Sequence, residues 1–83
     1  MTKEEIFQRI VALEGIAGEL ATRISEFYDE ASGEFNEAEK NDKIKKANMF
    51  YDLMRKLVDM EEDVSRVVDT LCELSNEYGT PEG

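Results

Sequence analysis

The side chains in this chain with the density and spacing to do chemistry are its carboxylates. Glu34 and Glu37 stand three residues apart, as do Asp59 and Glu62, so on helices each pair would share a face. Paired carboxylates of this kind can hold a hard cation such as magnesium through oxygen ligands. Other catalytic constellations lack their parts. The absence of histidine leaves the di-metal carboxylate bundle motif incomplete and removes the usual zinc hydrolase and Ser-His-Asp arrangements. Cys72 is the sole cysteine; with no imidazole to activate it, it reads as a passive small side chain. The expectation is a non-enzymatic protein with no cofactor, no catalytic residues and no metal site.

Whatever the carboxylates do, helices must position them. Thr2 with Glu5 three residues on forms a capping signature. Beyond it Ile6, Ile10, Leu13, Ala17, Leu20, Ile24, Phe27 and Ala31 recur at 3,4 spacing, with Phe7, Ala21 and Tyr28 widening one flank. Gly33 offers a left-handed stop, and Asn36 with Glu39 repeats the capping signature. The spacing therefore predicts helix 1 over about 3–32, a turn over 33–36 and helix 2 over about 37–78. A start at Asn41 or Asp42 is the weaker alternative, because it puts Lys43, Lys45 and Lys46 in the first turns, against the helix dipole. Helix 2 carries Phe50, Leu53, Leu57, Met60, Val64, Val67, Leu71, Leu74 and Tyr78 at 3,4 spacing, and Gly79 and Pro81 end it. Residues 80–83 read as a disordered tail.

A turn at 33–36 makes the chain an all-α antiparallel hairpin of unequal arms. Phe27 would lie near Ile44, Leu20 near Tyr51, Leu13 near Leu57 and Ile6 near Val64. Val67, Val68, Leu71, Leu74 and Tyr78 would project beyond helix 1 and form an oligomer interface, since wetting that stripe forfeits about 25 cal/mol per Å². The expected assembly is a homodimer with a four-helix core. A break near 59–63, folding the last part back as a third helix, is the alternative. Gly15, Gly18 and Thr22, with Val11 and Ser25, form a small-residue strip that would suit close helix packing, or a face that tolerates glycine.

Charge bounds the partners. The net charge is -10, a field that repels nucleic acid and anionic membranes and is complementary to a basic protein surface. Asp59, Glu62, Asp63, Asp69, Glu73 and Glu77 form an acidic face on helix 2 that reads as partner-binding. Glu5 with Arg9, Glu19 with Arg23, Asp52 with Lys56 and Glu62 with Arg66 are acid-first i,i+4 pairs that support helices. Lys40, Lys43, Lys45 and Lys46 make a basic island near the turn, able to receive an acidic or phosphate-bearing ligand. No run of residues is long and apolar enough for a membrane span, the N-terminus lacks the pattern of a signal peptide, and the lone thiol suits a reducing cytoplasm.

The two acidic pairs are similar to those of all-α nucleotide pyrophosphohydrolases of the MazG type, and the segment Glu14 to Leu20 resembles that family's first acidic motif. That likeness implies magnesium-dependent release of pyrophosphate from nucleoside triphosphates. The chain departs from the pattern in three places. Ile16 stands where a metal-binding Glu is expected, Asp59 comes first in its pair, and Glu34 falls at the expected turn. In size and charge the chain is also similar to small phage-encoded inhibitors of host defence, which implies an inhibitor or adaptor that covers a basic, often nucleic-acid-binding, surface. A structural or regulatory oligomerisation module that binds a partner helix is the further reading.

Overall fold

Thr2 starts the first helix as its sequence suggests. It is extended, its Oγ1 accepts from the Glu5 amide at 3.1 Å and donates to Glu5 Oε1 at 3.3 Å, which satisfies one of the amides a helix start leaves open. The computed structural model describes residues 1–79, which form an antiparallel hairpin of α1 (Lys3–Lys40) and α2 (Ile44–Gly79), with no strand among them. The expected tail, 80–83, lies outside the described residues. Helix 2 is unbroken through 59–63.

The reversal lies at 41–43, not at 33–36. Gly33 sits inside α1 and no described glycine has a positive φ; the left-handed residue is Asp42, with φ 57°. Around it the chain forms a Schellman closure. The Asp42 amide donates to the Glu39 carbonyl at 3.2 Å and the Lys43 amide to the Ala38 carbonyl at 2.8 Å, while Asn41 Nδ2 donates to the Glu37 carbonyl at 3.0 Å. Aspartate and asparagine tolerate such positions because their short side chains bond locally. Helix 2 consequently opens at Ile44 with no acidic residue in its first turn.

Burial explains why α1 runs through Gly33. Ile10, Ala17, Ile24, Ala31 and Ala38 are all buried and recur every seventh residue, so the seam that faces α2 continues unbroken for one heptad past the glycine. Stopping at residue 32 would leave Ala38 and Ala47 unburied and separate Phe35 from Tyr51, whose rings lie 6.0 Å apart. Those contacts outweigh the roughly 1 kcal/mol that an interior glycine costs.

The later reversal equalises the arms. At about 1.5 Å per residue, 38 and 36 residues give helices of about 57 and 54 Å. Val68, Leu71, Leu74 and Tyr78 therefore do not project. They pack with Ile6, Ile10 and Ala17 of their own chain, and a second cluster joins Ile24, Ala31 and Leu57 to Tyr28, Phe50, Leu53, Met54 and Val64. The expected pairing of Leu13 with Leu57 and Ile6 with Val64 is shifted accordingly. The overhang was a consequence of the misplaced turn; of the residues assigned to it, Val67 is exposed.

Candidate functional site

The two helices do not present the middle of their apolar stripes to each other. In α1 the side that meets α2 carries the heptad seam Ile10, Ala17, Ile24, Ala31, Ala38 and, on one flank, Phe7, Glu14, Ala21, Tyr28 and Phe35, all at least half-buried. The opposite flank, roughly 50° around the helix in heptad geometry, carries Ile6, Leu13, Leu20 and Phe27. In α2 the seam is Phe50, Leu57, Val64, Leu71 and Tyr78, the closed flank includes Ala47, Met54 and Val68, and the opposite flank carries Leu53, Met60, Val67 and Leu74. Leu13, Leu20, Phe27, Met60 and Val67 remain between 44% and 52% exposed.

Because the helices are antiparallel and right-handed, these two open flanks emerge on the same broad face of the hairpin. The side chains confirm it. At the next heptad step toward the turn the same flanks hold Glu34 and Lys46, and these form an ion pair across the hairpin at 3.6 Å; at the other end Ile6 and Leu74 pack on one cluster. The face is thus a ladder of rungs, Ile6 beside Leu74, Leu13 beside Val67, Leu20 beside Met60, Phe27 beside Leu53, closed at the turn by Glu34 and Lys46. Its open apolar area is on the order of 500 Å², at the upper end for the largest patch of a monomeric protein.

The reverse face is closed along its centre, with Val11, Tyr51 and Val58 exposed at its margins. Phe7, Tyr28 and Phe35 lie half-buried there, Phe35 against Tyr51 and Phe7 beneath the end of α2, where a Cβ on Gly79 would come within 2.7 Å of its ring. On α1 the three large rings of this flank bury more area than Leu13, Leu20 and the single Phe27 of the other. One polar atom is trapped on this side: Glu14 Oε1 is buried without a hydrogen-bond partner.

The remaining candidates are spread over the surface. Asp59, Glu62, Asp69 and Glu73 are exposed along the far side of α2 and Asp63 and Glu77 at the edge of the open face, and Asp63 pairs with Arg66 at 3.2 Å, which takes the place expected for Glu62. Glu19 with Arg23 and Asp52 with Lys56 pair at 2.9 Å as their spacing suggests. Lys40, Lys43, Lys45 and Lys46 surround the reversal and are exposed, Lys46 in its ion pair with Glu34. A pocket of about 350 Å³ beside them is floored by Phe35, Ala38, Ala47 and Tyr51 and rimmed by Glu39, Asp42 and Lys43, charges of both signs that select no ligand. Gly15 and Gly18 have nothing within 4 Å of where a Cβ would sit, so none of the described residues packs on the small-residue strip at these glycines, and Thr22 turns its hydroxyl onto the Gly18 carbonyl at 3.1 Å. Cys72 is exposed.

The carboxylate pairs do not converge. Glu34 lies on the open face in its ion pair with Lys46, whereas Asp59 and Glu62 lie on the far side of α2, more than three helical turns along. Among the described residues no group of three potential ligands is placed to hold a metal ion, and no helix is long and apolar enough to cross a membrane. No family model, curated protein or solved structure matches this chain. The likeness to pyrophosphohydrolases therefore rests on the quoted residues alone, and the structure does not assemble them.

Sequence reasoning missed the open ladder because it assigned Leu13, Leu20 and Phe27 to the core between the helices. The flanks differ in sequence on α1 only, where Phe7, Tyr28 and Phe35 recur on the closed side and Phe27 is the single aromatic of the other.

Proposed function

We propose that the chain is a protein-protein interaction module: a hairpin that associates through its apolar ladder into a dimeric four-helix bundle and offers its acidic outer surface to a basic protein. The open face carries this reading. Domains are built from at least two packed layers around a core, and this molecule, 65 × 18 × 14 Å, is a single layer of two helices. Among the described residues no large side chain is completely buried. A stripe centred between the neighbouring helix and the open face is the pattern of a helix that borders two neighbours, as in a four-helix bundle. A face of these dimensions also matches the roughly 800 Å² per partner of a stable interface.

The acidic surface of α2 points away from the ladder for the most part, so pairing leaves Asp59, Glu62, Asp69 and Glu73 accessible. With a net charge of -10 per chain, a dimer would approach basic, nucleic-acid-binding protein surfaces rapidly and with strong salt dependence, and would avoid nucleic acid and anionic membrane. The role that follows is that of an inhibitor or adaptor, of the kind phages encode, acting in the cytoplasm. A pull-down at low and high salt tests it. The wild-type chain should retain a basic protein that salt releases, and the triple variant Glu62→Lys, Asp69→Lys, Glu73→Lys should not. Equal retention by both, insensitive to salt, would refute the acidic surface as the binding element and leave the reading of a module for a partner helix.

A further inference from the structure

We propose that self-association and capture of a basic partner are one linked equilibrium: the chain's own charge holds copies apart at low ionic strength, and a polycation that neutralises it drives them together. The inference rests on the self-association proposed above and specifies what regulates it, whichever way the two copies point.

Little of the net charge lies on the face that pairs. The ladder with its end rung, and the positions one heptad step outward on each helix, hold Arg9, Arg23, Lys46 and Lys56 against five carboxylates. The rest of the chain carries six basic and fifteen acidic side chains. Pairing therefore joins two nearly neutral apolar surfaces, and the excess of nine negative charges on each copy stays on the outer sides.

Those outer sides are close to each other. The hairpin is a single layer with its shortest extent 14 Å, and packed helices lie about 10 Å apart, so the outer carboxylates of two stacked copies are roughly 10–25 Å from one another. The Debye length is about 30 Å at 0.01 M salt and about 8 Å at 0.15 M. At the lower ionic strength nearly all of each outer surface repels the other, and at the higher one most of that repulsion is screened. The energy grows with the product of the two charges, so the outer excess outweighs the single unbalanced carboxylate around the ladder.

A polycation on the outer surface acts as salt does, but stays bound. It removes part of the repulsion and tightens the pair, and by reciprocity the pair binds the polycation more tightly than the single chain does by the same factor. The two steps respond to salt with opposite sign: pairing strengthens as ionic strength rises, whereas capture of the basic partner weakens. A basic protein surface is thus both the ligand and the signal for assembly.

Sedimentation equilibrium of the full chain in about 0.01 M and about 0.15 M sodium chloride tests the repulsion, and the dimer dissociation constant should fall at least about tenfold between the two. Asp59→Asn, Glu62→Gln, Asp69→Asn and Glu73→Gln combined, all exposed and outside the ladder, lower the excess from nine to five. That variant should show a salt effect of about threefold or less, which separates repulsion from any action of salt on apolar burial. Decalysine at the lower salt should pair the wild-type chain at a concentration where it is otherwise mostly single, and should leave Leu20→Asp, with a charge in the ladder, unpaired. A dissociation constant unchanged or raised by salt, a salt effect undiminished in the fourfold variant, or decalysine that bridges Leu20→Asp as readily as wild type would overturn the linkage and leave self-association standing. A chain that stays single at about 100 μM in the higher salt would overturn both.

Discussion

The two broad faces of the hairpin are built from the same heptads and end up opposite in character. On one, Phe7, Tyr28 and Phe35 fold into the groove between the helices; on the other, Leu13, Leu20, Phe27, Met60 and Val67 stand half in water. An apolar stripe wider than one neighbour can cover is therefore satisfied on one flank only. The hairpin completes its own contacts and leaves half of its hydrophobic periodicity unspent, which is why its biology has to be sought in what lands on the open face.

The largest effect should come from the seam both faces share. Leu71 is 6% exposed within its cluster, and Leu71→Ala should destabilise the fold by about 2–5 kcal/mol, read as a fall in the denaturation midpoint by circular dichroism at any protein concentration. An unchanged midpoint would mean that Leu71 is not packed on α1. Next come matched charges on the two faces. Leu20→Asp on the ladder should dissociate the dimer at least a hundredfold, because two carboxylates would enter one apolar layer, whereas Val58→Asp on the reverse face, at 40% exposure a similarly wet site, should shift stability by no more than about 0.5 kcal/mol. Equal responses would erase the distinction between the faces. The smallest effect belongs to the glycine strip. Gly15→Ala and Gly18→Ala meet open space and should each add up to about 1 kcal/mol of helix stability with dimerisation intact; loss of association in either would show that a partner backbone needs those positions.

Much of the architecture is legible from residues alone. The Thr2 cap, the all-helical pattern, the antiparallel pairing and the seam of Ile10, Ala17, Ile24 and Ala31 are set by local chemistry and period, and all are seen. The turn is not, because two local signals at Gly33 and Asn36 compete with a tertiary one: the heptad seam runs on to Ala38, and Asp42 adopts the left-handed conformation that glycine was expected to supply. That displacement of the reversal removed the overhang and relocated the unmet apolar surface from one end of α2 to one whole face. The candidate site was legible as a list of apolar residues but not as a surface, since periodicity gives the direction of a stripe and not which of its flanks the first neighbour takes. The carboxylates of α2 and the lysines near the reversal are solvent-exposed, as charges on helix surfaces are expected to be.

The central claim is that the open ladder is covered by a second copy. Sedimentation equilibrium of the unmodified chain across 1–100 μM tests it most directly. The account predicts a species of twice the 9.5 kDa chain mass over most of that range, with helicity that falls as dilution separates the subunits. A fully helical protein of single-chain mass at the highest concentration would contradict it.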